Sequence, residues 1–331
     1  MNRFELARAT SSAAARDLLA EKPGSVFKAG GIDLIDHLKE HLVEPPRVVD
    51  LKTIPGLDGI TAAADGSLRI GPLATLARVA ADAGVRKSHA ALAQACAEAA
   101  SPQIRNVATV GGNLLQRPRC WYYRLESYRC LKKGGDVCFA VGGENRYHVI
   151  FGGGPSYAPH PSNAAVALCA YGASFVLEGD RGPRTVAAAE FFTPPSQDAQ
   201  RENVLQPGEV LTEIRVPPAP QARALFDAVR EKQAFDWPLV SLAAVLGLEG
   251  GTVKSARLVL GAVAPIPWRS ARAEQALVGQ VLDERAAEQA ARAAVIGAAP
   301  LSDNGYKVTL VQALVKRTLL ALASPAGSRH D

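Results

Sequence analysis

The chain has 331 residues, 48% of them hydrophobic and 21% charged, and its 37 Lys and Arg against 32 Asp and Glu leave a net charge of +5. That length exceeds one ordinary core and predicts two or three packed units, while the composition excludes a disordered, collagen-like or coiled-coil chain. The basic residues are scattered among the acids rather than massed into a stripe, which argues against nucleic acid as a partner, and no run approaches the roughly twenty apolar residues of a membrane span.

The N-terminus, MNRFELARATSSAAARDLLAEKPG, places Glu5, Arg8, Arg16 and Asp17 inside its apolar run, so it lacks the uninterrupted apolar core of a secretory signal. Within it SSAAARDLLAE has helical spacing. SVFKAG then reads as a strand into a glycine turn, IDLIDHLKEHL as a helix and PRVVDL as a strand. A hairpin turning at Asp65-Gly66 follows, then a helix to about Ala83 and a second over 88–100. Further on, a glycine-rich turn at FGGGPSYAPHPSN leads into a helix and a strand. The Pro- and Gln-rich FFTPPSQDAQRENVLQPGEVLTEIRVPPAPQAR closes a unit near residue 220. The next unit begins with a strand in ALFDAVREKQ and a hairpin turning at Gly250-Gly251, and ends in Ala-rich helices at about 270–298 and 305–323.

Chemistry concentrates in three places. Gly30-Gly31 lies between a strand and a helix start, and Gly111-Gly112 repeats the device with Thr109 and Asn113 beside it. Small residues there leave backbone N–H groups and a helix dipole free to meet a phosphate. Neither turn fits the G-x-G-x-x-G fingerprint and no P-loop occurs, so the Rossmann and P-loop readings lose their main support. Three of the five cysteines, Cys120, Cys130 and Cys138, fall within one short stretch. An odd, clustered set fits a reducing compartment and a metal or redox site better than a disulfide framework. Their C-x9-C-x7-C spacing lacks the tight pairs of zinc ribbons and bacterial ferredoxins, so spacing alone leaves the metal open. Cys96 and Cys169 sit in apolar runs and read as small core residues.

The ordered set KAGGIDLID, SPQIRNVATVGGNL, HPSN, LQPGEVLTEIRVP, EKQAFDWPLVSLA and LGAVAPIPWRS resembles, over nearly the whole chain, the flavin-binding subunit of the molybdenum hydroxylases. That group contains xanthine dehydrogenases, aldehyde oxidoreductases and carbon monoxide dehydrogenase. The resemblance implies an α+β chain with a PCMH or vanillyl-alcohol-oxidase-like FAD-binding fold over 1–220, in subdomains of about 1–55 and 56–220. A C-terminal α/β domain of the carbon monoxide dehydrogenase flavoprotein type would cover 221–331. It implies that Lys28, Ala29, Gly30, Gly31, Ile32, Asp33 and Leu34 wrap the FAD pyrophosphate. Thr109, Gly111, Gly112 and Asn113 would form a second flavin loop, led into by Ile104, Arg105 and Asn106. Asn163 stands where the family usually has the aspartate of HPSD, which keeps an acceptor oxygen and removes a charge. Lys232 matches a lysine placed near the flavin.

In one branch of the family, that of periplasmic-type aldehyde oxidoreductases and 4-hydroxybenzoyl-CoA reductase, an insertion after the second loop carries a [4Fe–4S] cluster, and residues of about 117–157 resemble it. The resemblance implies Cys120, Cys130 and Cys138 as ligands, with Ser156 in place of the fourth cysteine and His148 as a second candidate. Serine is a poorer ligand than thiolate, so the cluster would be incomplete or labile, and a three-iron cluster or a cluster-free relic are the alternatives. Arg119, Arg129, Lys132 and Lys133 would offset cluster charge.

The function so implied is electron transfer in a heterotrimer. A large molybdopterin-binding partner oxidises an aldehyde or N-heterocycle, a small partner relays electrons through [2Fe–2S] centres, and FAD here passes them to a terminal acceptor. No catalytic residue is expected on this chain. The rival readings are a stand-alone flavin oxidoreductase and a metal-binding assembly protein. Localisation is expected to be cytoplasmic, or periplasmic through export with a partner.

Overall fold

The computed structural model describes residues 1–219, 221–232 and 235–324. Three sheets organise the chain. In the first, β1 (Glu5–Arg8), β2 (Val26–Lys28) and β3 (Arg47–Asp50) are parallel in the order β1-β3-β2, joined by the helices Ser12–Ala20 and Ile32–Lys39. Parallel neighbours need such crossovers, and Val49, with Ala9, Ala15 and Leu51, forms their shared core.

The second sheet contains β4 (Ile60–Ala62), β5 (Leu68–Ile70), β6 (Ser174–Gly179), β7 (Gly182–Ala187) and β8 (Val210–Val216), all antiparallel in the order β4-β5-β8-β6-β7. The helices Ala90–Ala97 and Asn163–Tyr171 share its core, with Leu92, Cys96 and Leu168 fully buried beside Phe175 and Ile214. Cys96 is thus the core residue its apolar run predicts, and Cys169 packs half-buried against the same core.

The third sheet is β12-β11-β10-β9, built from β9 (Arg223–Val229), β10 (Val240–Glu249), β11 (Thr252–Gly261) and β12 (Trp268–Arg269). Leu242, Ala244 and Leu246 of β10 face the C-terminal helices, while Ala243 between them faces the core of the second sheet. A strand buried on both faces reads as a nearly continuous apolar run, as in VSLAAVLG, where Ser241 alone interrupts it.

Three sequence expectations change. The Ala-rich stretch at 270–298 is two helices, Ala271–Leu277 and Glu284–Ala294, broken where Gly279 takes φ +83° and Asp283 caps the second. LTEIRV, read as part of a closing segment, supplies the central strand β8. The strand expected over 224–233 runs from Arg223 to Val229, and the last residue of the expected run, Gln233, lies outside the described residues, as does the predicted C-terminal unit beyond 324.

Residues 117–157 contain little regular structure beyond the short helix Trp121–Arg124 and a 3-10 turn at Leu131–Lys133. Their far end is fastened to the C-terminal unit. Asn304 donates to the carbonyls of His148 and Val149 at 3.1 Å each, and Ile150 and Phe151 enter that unit's core.

Candidate functional site

A cavity of about 490 Å³ opens where the first sheet's glycine turn, the Gly111-Gly112 turn, the start of the cysteine segment and the loop before β10 meet. Lys28 to Leu34, Ile104, Thr109, Gly111, Gly112, Asn113 and Asn163 all line it. Lys232 does not: it is exposed on the loop after β9, while Phe235, Asp236, Trp237 and Pro238 of the same loop reach the wall.

The helix Ile32–Lys39 starts on Gly31, which takes φ +85° and so provides no side-chain cap. Its first-turn N–H groups therefore face the cavity without the capping oxygen that a Ser or Asp would supply, an arrangement suited to an anion. Gly30 lets this turn touch the opposite loop, since a Cβ there would lie 3.1 Å from Ala108 Cα and closer still to the Val107 carbonyl oxygen. Gly111 is equally confined, with a Cβ falling 2.7 Å from Pro72 Cβ.

In the second loop Thr109 caps the helix Val110–Leu114, its hydroxyl accepting from Gly112 N at 3.1 Å and keeping its own proton for a ligand. Asn113 Oδ1 accepts from the Ser162 hydroxyl at 2.6 Å, which turns the amide NH2 outward, and Ser162 in turn caps the helix that Asn163 begins. Lys28 is turned aside: its ammonium donates to Asp50 at 3.1 Å and to the Ala29 carbonyl at 3.2 Å.

One wall comes from residues that sequence reading assigned to a different role. Gln116, Arg117, Arg119 and Tyr123 of the cysteine segment face the cavity. Asp33 binds this wall with both carboxylate oxygens, accepting Arg117 N–H at 2.8 Å and Arg124 Nη2 at 2.7 Å. Arg119 and Arg124 also donate to Asp36, at 2.8 and 2.9 Å. His37 Nδ1 donates to the Asp33 carbonyl and Nε2 accepts from the Tyr123 hydroxyl at 2.9 Å; burial, reinforced by the Arg124 charge, lowers its pKa and keeps it neutral. Burial likewise holds Tyr123 protonated, pushed up to about 12. The alternation of these charges across more than eighty residues has no local signal.

The three thiols are gathered into one cluster walled by aromatic rings. Cys120 and Cys130 are buried and Cys138 half-buried beside Trp121, Tyr122, Tyr128 and Phe139. Burial raises Cys120 to about 12 and lowers His148 to about 4, so the contact between Cys120 Sγ and His148 Nε2, at 3.2 Å, joins a neutral thiol to a neutral imidazole. Ser156 is buried. Among the described residues, no group of three or more Cys, His, Asp or Glu is placed to hold a metal ion. Two of the cations expected to offset cluster charge have acidic partners of their own: Arg119 pairs with Asp36, and Lys132, itself buried, with Glu202 at 2.7 Å.

Comparison with known proteins gives concordant results. Residues 2–219 match the family described as the FAD binding domain in molybdopterin dehydrogenase, and residues 224–322 the CO dehydrogenase flavoprotein C-terminal domain. The chain is 33% identical over 329 residues to the aldehyde oxidoreductase FAD-binding subunit of Escherichia coli K12, covering 98% of this chain and 99% of that one. It is 29% identical to the carbon monoxide dehydrogenase medium chain of Hydrogenophaga pseudoflava, covering 88% and 87%. In structure it resembles quinoline 2-oxidoreductase from Pseudomonas putida 86, with a TM-score of 0.77 at 27% identity over 97% of both chains.

Proposed function

The chain belongs to the family of FAD-binding subunits of the molybdenum hydroxylases, and from that premise we propose that it holds FAD in the 490 Å³ cavity and carries electrons from partner subunits to a terminal acceptor. The observation that carries this reading is the convergence on one cavity of an uncapped helix N-terminus at Gly31 and a second glycine loop at Gly111-Gly112. The first loop approaches the backbone at Val107 and Ala108 so closely that only glycine fits at Gly30, and Gly111 is confined in the same way by Pro72.

The residues present suit the cofactor. The amides opening the helix Ile32–Lys39 would bind its diphosphate, with Thr109 and the Asn113 amide donating from the other side. Asn163 would meet the ring system as a neutral hydrogen-bonding group, and Tyr123 and Trp237 would cover the cavity against water. FAD supplies chemistry in which electrons are accepted singly and discharged in pairs. The chain itself binds, orients and shields, and substrate chemistry belongs to the partners. These are a large molybdopterin-binding subunit, oxidising an aldehyde or N-heterocycle, and a small [2Fe–2S] subunit; the names of the relatives support such an assembly.

The finer reading is that residues 117–157 form an iron–sulfur insertion bound through Cys120, Cys130 and Cys138, with Ser156 as fourth ligand. Its support is the packing of all three cysteines into one aromatic-walled cluster, with Cys120 and Cys130 buried and Cys138 half-buried. It requires the thiols to lose their protons and close on the metal, as ligands of sites completed only by metal binding do. The test of the whole reading is the absorption spectrum of this chain, purified anaerobically and separated from the iron-bearing small subunit, before and after dithionite, with flavin and iron assayed on the same sample. Flavin with reducible iron supports both parts, flavin alone removes the cluster, and no flavin removes the function.

A further inference from the structure

With Lys232 outside the flavin cavity, the lysine and arginine side chains lining it are Lys28, Arg117 and Arg119. Lys28 is committed to Asp50 and to the Ala29 carbonyl. Arg117 is held by three acceptors, Glu202 at 2.7 Å and the carbonyls of Gln200 and Lys132. Arg119 has one acceptor among the described residues: its Nη1 donates to Asp36 at 2.8 Å, and its guanidinium lies over the Trp237 ring at 4.8 Å.

Asp36 does not cancel that charge by itself. It also accepts from Arg124, which reaches on to Asp33, and the other oxygen of Asp33 takes the Arg117 amide. Arg117 and Lys132 in turn share Glu202. The linked group thus sets four cations, Arg117, Arg119, Arg124 and Lys132, against three carboxylates, Asp33, Asp36 and Glu202. His37, which adjoins Asp33, is kept neutral by burial. One positive charge is left in surplus, and Arg119 is the least bonded member of the group.

Position separates Arg119 from the phosphate loops. The Gly31 and Gly111-Gly112 turns line the flavin cavity alone, whereas Arg119, Asn163 and Trp237 also line an adjoining cavity of about 280 Å³. Asn163 is the residue that the flavin reading sets against the ring system, so a cation in the same wall faces the ring rather than the diphosphate. The one carboxylate of this shared wall, Asp236, is turned to its own loop. It accepts Trp237 N–H at 2.8 Å and Lys232 N–H at 3.3 Å, and it makes no ion pair with Arg119 among the described residues.

We propose that Arg119 is the cation of the flavin site, set beside the ring system, where it favours the reduced cofactor and raises the potential at which this chain accepts electrons. The assignment rests on the flavin reading above and adds to it the residue that tunes the cofactor. Reduction adds negative charge to the ring, and a fixed positive charge in a site screened from water stabilises that form more than the oxidised one. Asp36 and the Trp237 ring fix the guanidinium in place.

The flavin midpoint potential is read by dye-coupled titration of the flavin-loaded protein, with FAD affinity titrated on the same variants. Arg119→Gln should lower the potential by at least about 30 mV, a tenfold change in a two-electron equilibrium. Arg119→Lys keeps the charge and should recover most of that loss. Asp36→Asn removes a negative charge from the same group and should raise the potential, although it loosens the same contact as Arg119→Gln. A merely structural role would move both variants the same way. An unchanged potential in Arg119→Gln, or shifts of one sign in Arg119→Gln and Asp36→Asn, would overturn the assignment. So would a loss of FAD affinity with the potential unmoved, which would put Arg119 at the diphosphate. Should Arg119→Gln not hold flavin, Asp36→Asn decides, and a potential at or below the wild-type value refutes the assignment. Wild-type protein without flavin would instead overturn the flavin reading on which it rests.

Discussion

Replacing Gly30 with alanine tests the two-loop cavity at its tightest point. The new Cβ would lie 3.1 Å from both Ala108 Cα and the Val107 carbonyl carbon, and nearer to the Val107 oxygen than the 3.0 Å that Cβ atoms keep. These are backbone atoms, and they are held: Ala108 N donates to Ile104 O at 2.8 Å, and Ala108 O accepts from Leu76 N at 2.9 Å. The loops must therefore part rather than rotate a side chain away. Overpacking of this kind costs about 1–3 kcal/mol. Placed wholly on binding, it would weaken FAD about 5- to 150-fold. The cost divides between stability and affinity, so FAD titration by flavin fluorescence is paired with a urea midpoint on the same variant, and the two losses together should fall in that range. Gly142→Ala, where a Cβ meets nothing within 4 Å, is the control that should change neither. A Gly30→Ala protein with wild-type affinity and an unchanged midpoint would refute the opposed-loop geometry.

Asn113→Ala should lower flavin occupancy, because it removes the amide held outward by Ser162; full occupancy would sink the placement of the second loop. Cys130→Ser should remove iron from anaerobically purified protein and leave flavin, since the contacts to the flavin loop run through Arg117 and Arg124; unchanged iron would count against the cluster. Lys307, buried with its ammonium donating, among the described residues, to the carbonyls of Tyr147 and Ala262, is pushed down by burial to about 7 from an ordinary 10.5. Between those values the unfolded chain binds more protons than the folded one, so stability rises with pH across the window and the penalty is complete below it. Urea midpoints should climb from about pH 7 towards 9, with a slope of up to about 1.4 kcal/mol per pH unit, and Lys307→Met should flatten the climb; an equal slope in the variant refutes the assignment. The window stops there because the buried thiols of Cys96, Cys120 and Cys169, raised from 9.0 to about 12, drive stability the other way above it.

What the sequence disclosed was local. Asp65-Gly66 and Gly250-Gly251 are turns because of chemistry within two residues, and both hairpins form with those turns. The two flavin-type glycine pairs sit at helix starts for the same reason. What it concealed depends on distant partners. Strand β1 is mostly exposed and has no alternation to betray it, and it exists because Leu6 and Ala7 pair with Val48 and Val49 some forty residues later. The break at Gly279 is hidden in an alanine-rich run that favours helix on both sides. In the cysteine segment no period can be read, since its order comes from packed aromatic rings and from ion pairs to Asp33, Asp36 and Glu202.

Asp33 shows how the hidden part bears on the legible part. A carboxylate in the first turn of a helix is favoured by the helix dipole, yet it stands where a diphosphate would bring more negative charge. The resemblance of GGIDLID to a flavin loop carries no answer to that conflict. Arg124 Nη2 and the Arg117 amide occupy both oxygens of Asp33, so its side chain is committed to the insertion and only its backbone N–H is offered to the cavity. The cysteine segment thus neutralises the acid that would otherwise repel an anionic ligand, and it also supplies Arg119 and Tyr123 to the wall. An insertion that served iron alone would need none of these contacts. On the proposed flavin reading, the Gly31 loop and the cysteine segment therefore form one binding unit, and a change that loosens residues 117–124 should lower flavin occupancy before it affects any metal.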